Sequence, residues 1–407
     1  MKEGKFDIGV LGWWYGENYG SMLTYYALNR TLEKMGYSVL MIHENLGYNG
    51  WRVHWDTNIA PMEFARRVGY HYTEQIHFEE AGSLNEKCQS FMVGSDQLWN
   101  PLIGRVNDDL FLDFVEDNKP RYAYGTSFGN RDIEKFSPEF IEKHTKDLQK
   151  FEAISVREEY AVDIAKNIFK VDAIQVVDPV FLLSQSDYGE LAKTATYKAE
   201  GRYLAAFILD PNEEKRRVID EVAEKLEIDK IVILANPEDR NGALAIFNDS
   251  KYEIVEENKP ENWLYTYQHA SYVVTDSFHG SCFAYMFQKP FSSFYNQKRG
   301  ADRFISLMNL FGFESDRRIE ETDTRESIFE NSNVTFEIDY SEAIQRVDSF
   351  AASSRKWLTE VLDRKLGKGT HKIENDLFEK VQRLEYENRI LKQSIAILSQ
   401  NYIENGD

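Results

Sequence analysis

Two spacings of apolar residues recur along this chain. Short apolar runs rich in β-branched residues stop abruptly in polar loops, and stretches with apolar residues three and four apart follow them. That order predicts buried parallel strands covered by helices. Phe6–Trp13 reads as the first strand. Gly20–Met35 reads as the first helix, with Met22, Leu23, Tyr26, Ala27, Leu28 and Leu32 on its apolar face and Gly36 closing it. Val39–Ile42, Ser90–Val93, Tyr122–Tyr124 and Ala153–Val156 read as further strands. Residues 45–85, where Tyr, Trp, His and Asn dominate, read as an irregular or helical insertion. The run from Asp178 to Leu183 ends this half, and Ser184–Glu200 reads as a helical linker.

A second α/β unit restarts at Arg202–Leu209, with a helix near Glu213–Leu226 and a strand at Lys230–Leu234. A short helix at Trp263–His269 leads into a strand at Tyr272–Val274. A helix beginning at about Gly280 is stopped by Pro290. Pro290–Tyr295 is the next strand, Arg303–Phe311 a helix, Glu314–Glu337 acidic and turn-like, and Ser341–Leu362 helical. The domain reading is a first lobe over 1–185, a second over 195–335, a helix over 339–366 that crosses back over the first lobe, and a tail over 373–403.

In that tail Val381, Leu384, Asn388, Leu391, Ile395, Leu398 and Tyr402 alternate at spacings of three and four, as the a and d positions of a coiled coil do. Asn388 falls at an a position, where a buried Asn favours one register, and Glu387 and Lys392 can pair between chains. We expect a homodimer through residues 377–402. A single amphipathic helix packed on its own body is the other reading.

Composition narrows the partners. A net charge of -20 argues against nucleic acid as a partner, so any cation near a strand end becomes informative. Cys88 and Cys282 are too few for a disulfide framework and sit in apolar contexts, which favours a reducing, cytoplasmic setting. The first residues enter a strand directly, so no leader is expected, and no run approaches the ~20 apolar residues of a membrane span. The histidines show no paired spacing of the zinc kind, and no metal or cofactor is expected.

Four loops can carry chemistry. Trp14, Asn18, Tyr19, Gly20 and Ser21 lie between the first strand and helix, in a loop without the spacing of a dinucleotide fingerprint or a P-loop; its aromatics suit a sugar-lined entrance or, alternatively, the core. In Val93-Gly94-Ser95-Asp96-Gln97 a strand runs into a polar turn, where Asp96 is a base, a hydroxyl anchor or simply a turn residue. Arg157 stands at a strand end, as an anion ligand or in an ion pair with a nearby glutamate. The fourth loop is Thr275-Asp276-Ser277-Phe278-His279-Gly280, where a strand meets a helix N-terminus. Free N–H groups there, with Ser277 and Gly280, make an anion site with His279 beside it; a capped helix with a satisfied histidine is the plainer reading. Lys298 and Arg303 follow the next strand and would add cations near this loop.

Taken in order, Asn18-Tyr19-Gly20-Ser21, Val93-Gly94-Ser95-Asp96-Gln97, Ser127-Phe128-Gly129, Ser155-Val156-Arg157-Glu158, Asp178-Pro179-Val180-Phe181 and Thr275-Asp276-Ser277-Phe278-His279-Gly280 resemble the bacterial polysaccharide pyruvyl transferases over roughly residues 5–315. The resemblance implies an α/β fold of two Rossmann-like lobes in a GT-B-like arrangement, the first on the acceptor side and the second on the donor side. It also implies ketal transfer from phosphoenolpyruvate, a co-substrate, to two hydroxyls of a sugar or lipid-linked oligosaccharide in capsule or exopolysaccharide biosynthesis. A lipid-linked acceptor would bring the protein to the inner membrane face as a visitor. His279 matches the family's catalytic histidine, and Arg157 and Lys298 its anion-binding residues. Ser277-Phe278 stands where the family often has Arg-Leu, which removes one cation. The rival readings are a nucleotide-sugar glycosyltransferase of the same architecture and a non-catalytic scaffold in polysaccharide assembly.

Overall fold

The computed structural model describes residues 5–45, 60–103, 108–129, 131–295, 302–313 and 317–367. The first half runs β1 (Phe6–Leu11), α1 (Tyr19–Lys34), β2 (Val39–Met41), β3 (Glu44–Asn45), α2 (Ala60–Val68), β4 (Ile76–His77), β5 (Cys88–Val93), β6 (Arg121–Thr126), α3 (Pro138–Leu148), β7 (Ala153–Val156), α4 (Glu159–Asn167) and β8 (Ile174–Gln175). Six of these strands form a sheet in the order β2-β1-β5-β6-β7-β8, and every pairing is parallel. β3 and β4 pair separately.

The second half runs α5 (Gln185–Ala192), β9 (Leu204–Ile208), α6 (Glu213–Lys225), β10 (Ile231–Ala235), α7 (Arg240–Ile246), β11 (Tyr252–Ile254), α8 (Pro260–His269), β12 (Tyr272–Thr275), α9 (Phe278–Met286), β13 (Phe291–Phe294), α10 (Asp302–Phe311), β14 (Arg318–Ile319) and α11 (Arg325–Glu330). Its parallel sheet has the order β11-β10-β9-β12-β13-β14. β9, β10 and β12 are buried at every position, as strands covered on both faces must be, which is why they show no alternation.

α12 (Ser341–Leu366) ties the lobes together. Near its start Tyr340 donates to the Lys289 carbonyl of the second lobe at 2.6 Å. Further along, Ser354 Oγ accepts from Val177 N at 3.1 Å, and Asp363 accepts from the Tyr37 hydroxyl at 2.8 Å. Arg67 and Glu261 make a two-pronged bridge between the lobes, with contacts of 2.7 and 3.0 Å. One apolar cluster includes Leu28 and Leu183 together with Phe283 and Leu358, so the two lobes share a core.

Some elements depart from the sequence reading. The 45–85 stretch contains α2 and the β3–β4 pair, and the linker helix stops at Ala192, beyond which Asn262 Oδ1 accepts from the backbone N–H groups of Thr196 and Tyr197. Within the acidic 314–337 stretch, a reciprocal Thr324–Ser327 cap starts α11, whose only buried residue is Ile328. Helix α3 buries only His144 and Leu148, too little for an apolar stripe to show. The tail at 377–402 lies outside the described residues. Among the described residues no helix is long and apolar enough to cross a membrane.

Candidate active site

Because both sheets are parallel, the loops after β1, β5, β7, β12 and β13 leave the carboxyl ends of their strands, where open α/β sheets bind ligands. Asn18 caps α1, its Oδ1 accepting from Gly20 N at 2.8 Å. Ser277 caps α9 in the same way, accepting from Gly280 N at 3.2 Å. These caps aim the first turns of the two helices at each other. His279 Nε2 lies 2.8 Å from Thr24 Oγ1 of α1 and 3.4 Å from Asp178 Oδ2. The imidazole rests on Gly20, where any Cβ would collide with the ring.

Asp178 joins this histidine to an arginine. Arg157 Nη1 donates to Asp178 Oδ2 at 2.8 Å, and its Nε donates to Glu158 Oε1 at 3.1 Å. Burial opposes ionisation of Asp178, yet His279 and Arg157 outweigh it and hold the carboxyl well below the usual range. Arg157 and Asp178 are 6% and 2% exposed, so this charge network is desolvated.

A second guanidinium stands close by. The Phe278 ring has Arg157 Cζ 4.6 Å and Arg303 Cζ 5.7 Å from its centroid. In the amide orientation that satisfies its neighbours, Gln97 Oε1 accepts from Arg303 Nη1 at 3.1 Å and Nη2 at 3.2 Å. Burial, and then the like charge of Arg157, lower the Arg303 pKa, whereas Asp96 and Glu158 support its charge. Asp96 holds a φ of 109°, a costly conformation for a residue with a side chain. Its Oδ1 accepts from Gln97 N at 2.8 Å, as in a turn, and its Oδ2 from Ser21 Oγ at 3.4 Å.

Arg157, Glu158, Tyr160, Asp178, Phe278 and Arg303 border a cavity of about 270 Å³. Three buried polar atoms on this border, Arg157 Nη2, Glu158 Oε2 and Tyr160 Oη, have no hydrogen-bond partner among the described residues. Buried polar groups are paired as a rule, so three orphans around one cavity mark a place suited to a polar ligand. The Arg157 and Arg303 guanidiniums on this border suit a small anion, although Glu158 and Asp178 take part of the Arg157 charge; His279 is not on the border and touches it through Asp178.

The structure revises several expectations. Trp14 is not at an entrance: it is buried, donates from Nε1 to the Ile42 carbonyl at 2.8 Å, and packs among Tyr15, His43, Tyr70 and Tyr72. Tyr19 is likewise interior, stacked on Trp263 across the lobes. The aromatic density of that loop reflects core packing. Gly280 gives its N–H to the Ser277 cap, and a Cβ there would strike Thr275 and Tyr267; the glycine permits α9 to sit on β12. Asp276 pairs with Lys215 Nζ at 2.7 Å. Asn18, Gly20, Ser21, Asp96, Arg157, Ser277, His279 and Arg303 do gather between the lobes. Lys298 lies outside the described residues. The sequence reading passed over Thr24, Gln97, Glu158, Tyr160, Asp178 and Phe278 as site residues. Gln97, Glu158, Asp178 and Phe278 lie within the motifs that carry the family resemblance, which was the signal for them, whereas Thr24 and Tyr160 lie outside those motifs. Among the described residues no group of three His, Cys, Asp or Glu side chains is arranged to hold a metal ion.

A family model described as polysaccharide pyruvyl transferase matches residues 18–298. No curated protein sequence matches the chain. Among solved structures, UDP-GlcNAc 2-epimerase from Neisseria meningitidis bound to UDP-GlcNAc superposes with a TM-score of 0.53 at 11% identity, covering 88% of this chain and 99% of that one. A glycosyltransferase from Rickettsia africae ESF-5 superposes with a TM-score of 0.53 at 9% identity, covering 90% and 100%. UDP-N-acetylglucosamine 2-epimerase from Rickettsia bellii gives 0.52 at 10% identity, covering 91% and 99%. At such identities the likeness concerns the fold alone, two Rossmann-like lobes in a GT-B-like arrangement.

Proposed function

The chain belongs to the polysaccharide pyruvyl transferase family, and from that premise we propose that it moves the enolpyruvyl carbons of phosphoenolpyruvate onto two hydroxyls of one sugar, closing a cyclic ketal. The observation that carries this reading is the pair of buried guanidiniums, Arg157 and Arg303, both close to the Phe278 ring, with His279 adjacent. Phosphoenolpyruvate presents a carboxylate and a phosphate on one short skeleton, and two arginines are suited to clamping both.

In the first step the oxygen of a sugar hydroxyl bonds to C2 of the donor and its proton passes to Asp96, while the C2=C3 π pair takes a proton at the methylene C3, which becomes the methyl group. His279 is the acid, held in place by Thr24 and Asp178. In the second step a neighbouring hydroxyl attacks C2, the C2–O bond to phosphate breaks with its electron pair leaving on phosphate, and the hydroxyl's proton returns to the His279 imidazole. Asp96 serves as base or hydroxyl anchor, and Ser21 holds its carboxylate. Alignment of donor and sugar between the lobes contributes through orientation.

A thermal-shift titration with phosphoenolpyruvate, run beside UDP and GDP, tests the donor. A ligand that binds the folded state alone stabilises it by RT ln(1 + [L]/Kd). A shift with phosphoenolpyruvate that Arg303→Gln weakens supports the assignment; a shift with a nucleotide alone favours glycosyl transfer.

A further inference from the structure

The acceptor needs a surface, and the aromatic residues expected to supply it, Trp14 and Tyr19, are buried in the core. A second cavity of about 440 Å³ adjoins the first, sharing Arg131, Glu159 and Tyr160 with it. That size lies within the range of small-molecule sites, ~300–1,000 Å³. Helix α4 builds one wall. Tyr160, Ile164 and Ile168 recur every four residues and form an apolar floor, while Glu159, Asp163 and Asn167 form an exposed polar rim on the adjoining row. Arg131 closes the opposite side, its Cζ 5.4 Å from the Tyr160 ring centroid.

We propose that this groove binds the sugar units flanking the one that receives the pyruvyl group, an inference that rests on the pyruvyl-transfer reading above. Three observations converge on a neutral saccharide. The floor suits the C–H face of a pyranose ring, and the rim offers two carboxylates and an amide to its hydroxyls. One arginine against two carboxylates gives no excess of positive charge, so an anionic chain is disfavoured. Tyr160 belongs to both cavities, and its buried Oη has no partner, as does Glu158 Oε2 on the inner side. The acceptor sugar would satisfy both atoms: Glu158 Oε2 accepts from one hydroxyl, and Tyr160 Oη donates to another. The chain then continues outward over α4.

The test uses saturation-transfer NMR with galactose, glucose and N-acetylglucosamine oligosaccharides of one to four units, alongside phosphoenolpyruvate thermal shifts. The proteins are wild type, the double variant Asp163→Ala/Asn167→Ala, and Tyr160→Phe. Asp163 and Asn167 are exposed, so the double variant leaves the core intact. For at least one glycan series the wild type should bind the tetrasaccharide about tenfold more tightly than the monosaccharide, the worth of roughly two net hydrogen bonds. The double variant should lose that gain and keep both its melting temperature and its donor shift. Tyr160→Phe should weaken every length, the monosaccharide included. A length gain that survives in the double variant, or no affinity for any glycan of the panel, overturns the proposal. Length-dependent glycan binding without a phosphoenolpyruvate shift would sink the donor assignment and leave the groove standing.

Discussion

Thr24 Oγ1 of α1 lies 2.8 Å from His279 Nε2 of α9, joining residues 255 positions apart in the chain and on opposite lobes. The imidazole is therefore oriented by one lobe and carried by the other. If it delivers the proton to the donor, His279→Asn should lower turnover by ~10²–10⁴-fold, the usual worth of a positioned acid. Donor affinity, read by thermal shift, should change far less, and Thr24→Val should give a smaller loss of turnover. Equal losses of turnover and donor binding in His279→Asn would remove the histidine from the proton-transfer step.

Arg157 needs a different test because it is both a candidate ligand and part of a buried charge network. Arg157→Ala leaves Asp178 with His279 alone and Glu158 without its ion-pair partner, and should destabilise the fold by about 3–5 kcal/mol, the range for breaking a buried pair. Arg157→Lys keeps the charge but loses the planar fork, so donor affinity should fall about tenfold while most of the stability remains. Denaturant unfolding of both variants, with a donor titration of the lysine form, separates the two roles. Unchanged donor affinity in Arg157→Lys would leave only the ion pair that the sequence offered as its other reading.

The sequence showed the lobes clearly because their strands are uninterrupted apolar runs such as Leu204–Ile208, which only a sheet covered on both faces accommodates. It showed His279 and Arg157 because each stands where such a run ends. Asp178 and Phe278 were harder to assign. One reads as the start of a Pro-containing turn and the other as an apolar helix residue, and each acquires its role only from a partner on a remote element. Trp14 misled because aromatic density in a glycine-containing loop has the same appearance whether the rings face a sugar or one another.

The Phe278 ring stands within cation–π reach of two like charges, Arg157 and Arg303. Cation–π contacts of this kind are worth ~0.5–2 kcal/mol each. Phe278→Leu should therefore weaken donor binding about tenfold, and Phe278→Tyr, which keeps the ring, should restore most of it. Phosphoenolpyruvate titration of both variants decides; equal affinities for leucine and tyrosine would show that the ring's electrons are irrelevant.

His43 gives a prediction about stability. It is buried among Trp14 and Tyr15, its Nε2 has no hydrogen-bond partner, and burial lowers its pKa from 6.5 to about 4. Between those values the unfolded chain binds a proton that the folded chain refuses, so stability falls as pH drops through this window. By pH 5 the loss should reach about 2 kcal/mol, given ~1.4 kcal/mol for each pH unit below the unfolded value. Urea midpoints at pH 7.5 and pH 5 measure it, and His43→Phe should flatten the difference. A slope that persists in the phenylalanine variant would assign it to other groups.

Gly20 lies in the first turn of α1, where replacing glycine by alanine ordinarily stabilises a helix by ~0.5–1 kcal/mol. Here the new Cβ would run into the His279 ring, so the sign should reverse. Gly20→Ala should lower both stability and turnover, because the imidazole must leave its contact with Thr24, while donor binding through the arginines persists. The same substitution made in a His279→Gly background, which removes the Cβ as well as the ring, is relieved of those contacts and should recover much of the ordinary helix gain. A double-mutant cycle on unfolding free energies reads this coupling directly. Additive effects would mean that the histidine ring does not press on Gly20, and that what positions the imidazole must be sought elsewhere.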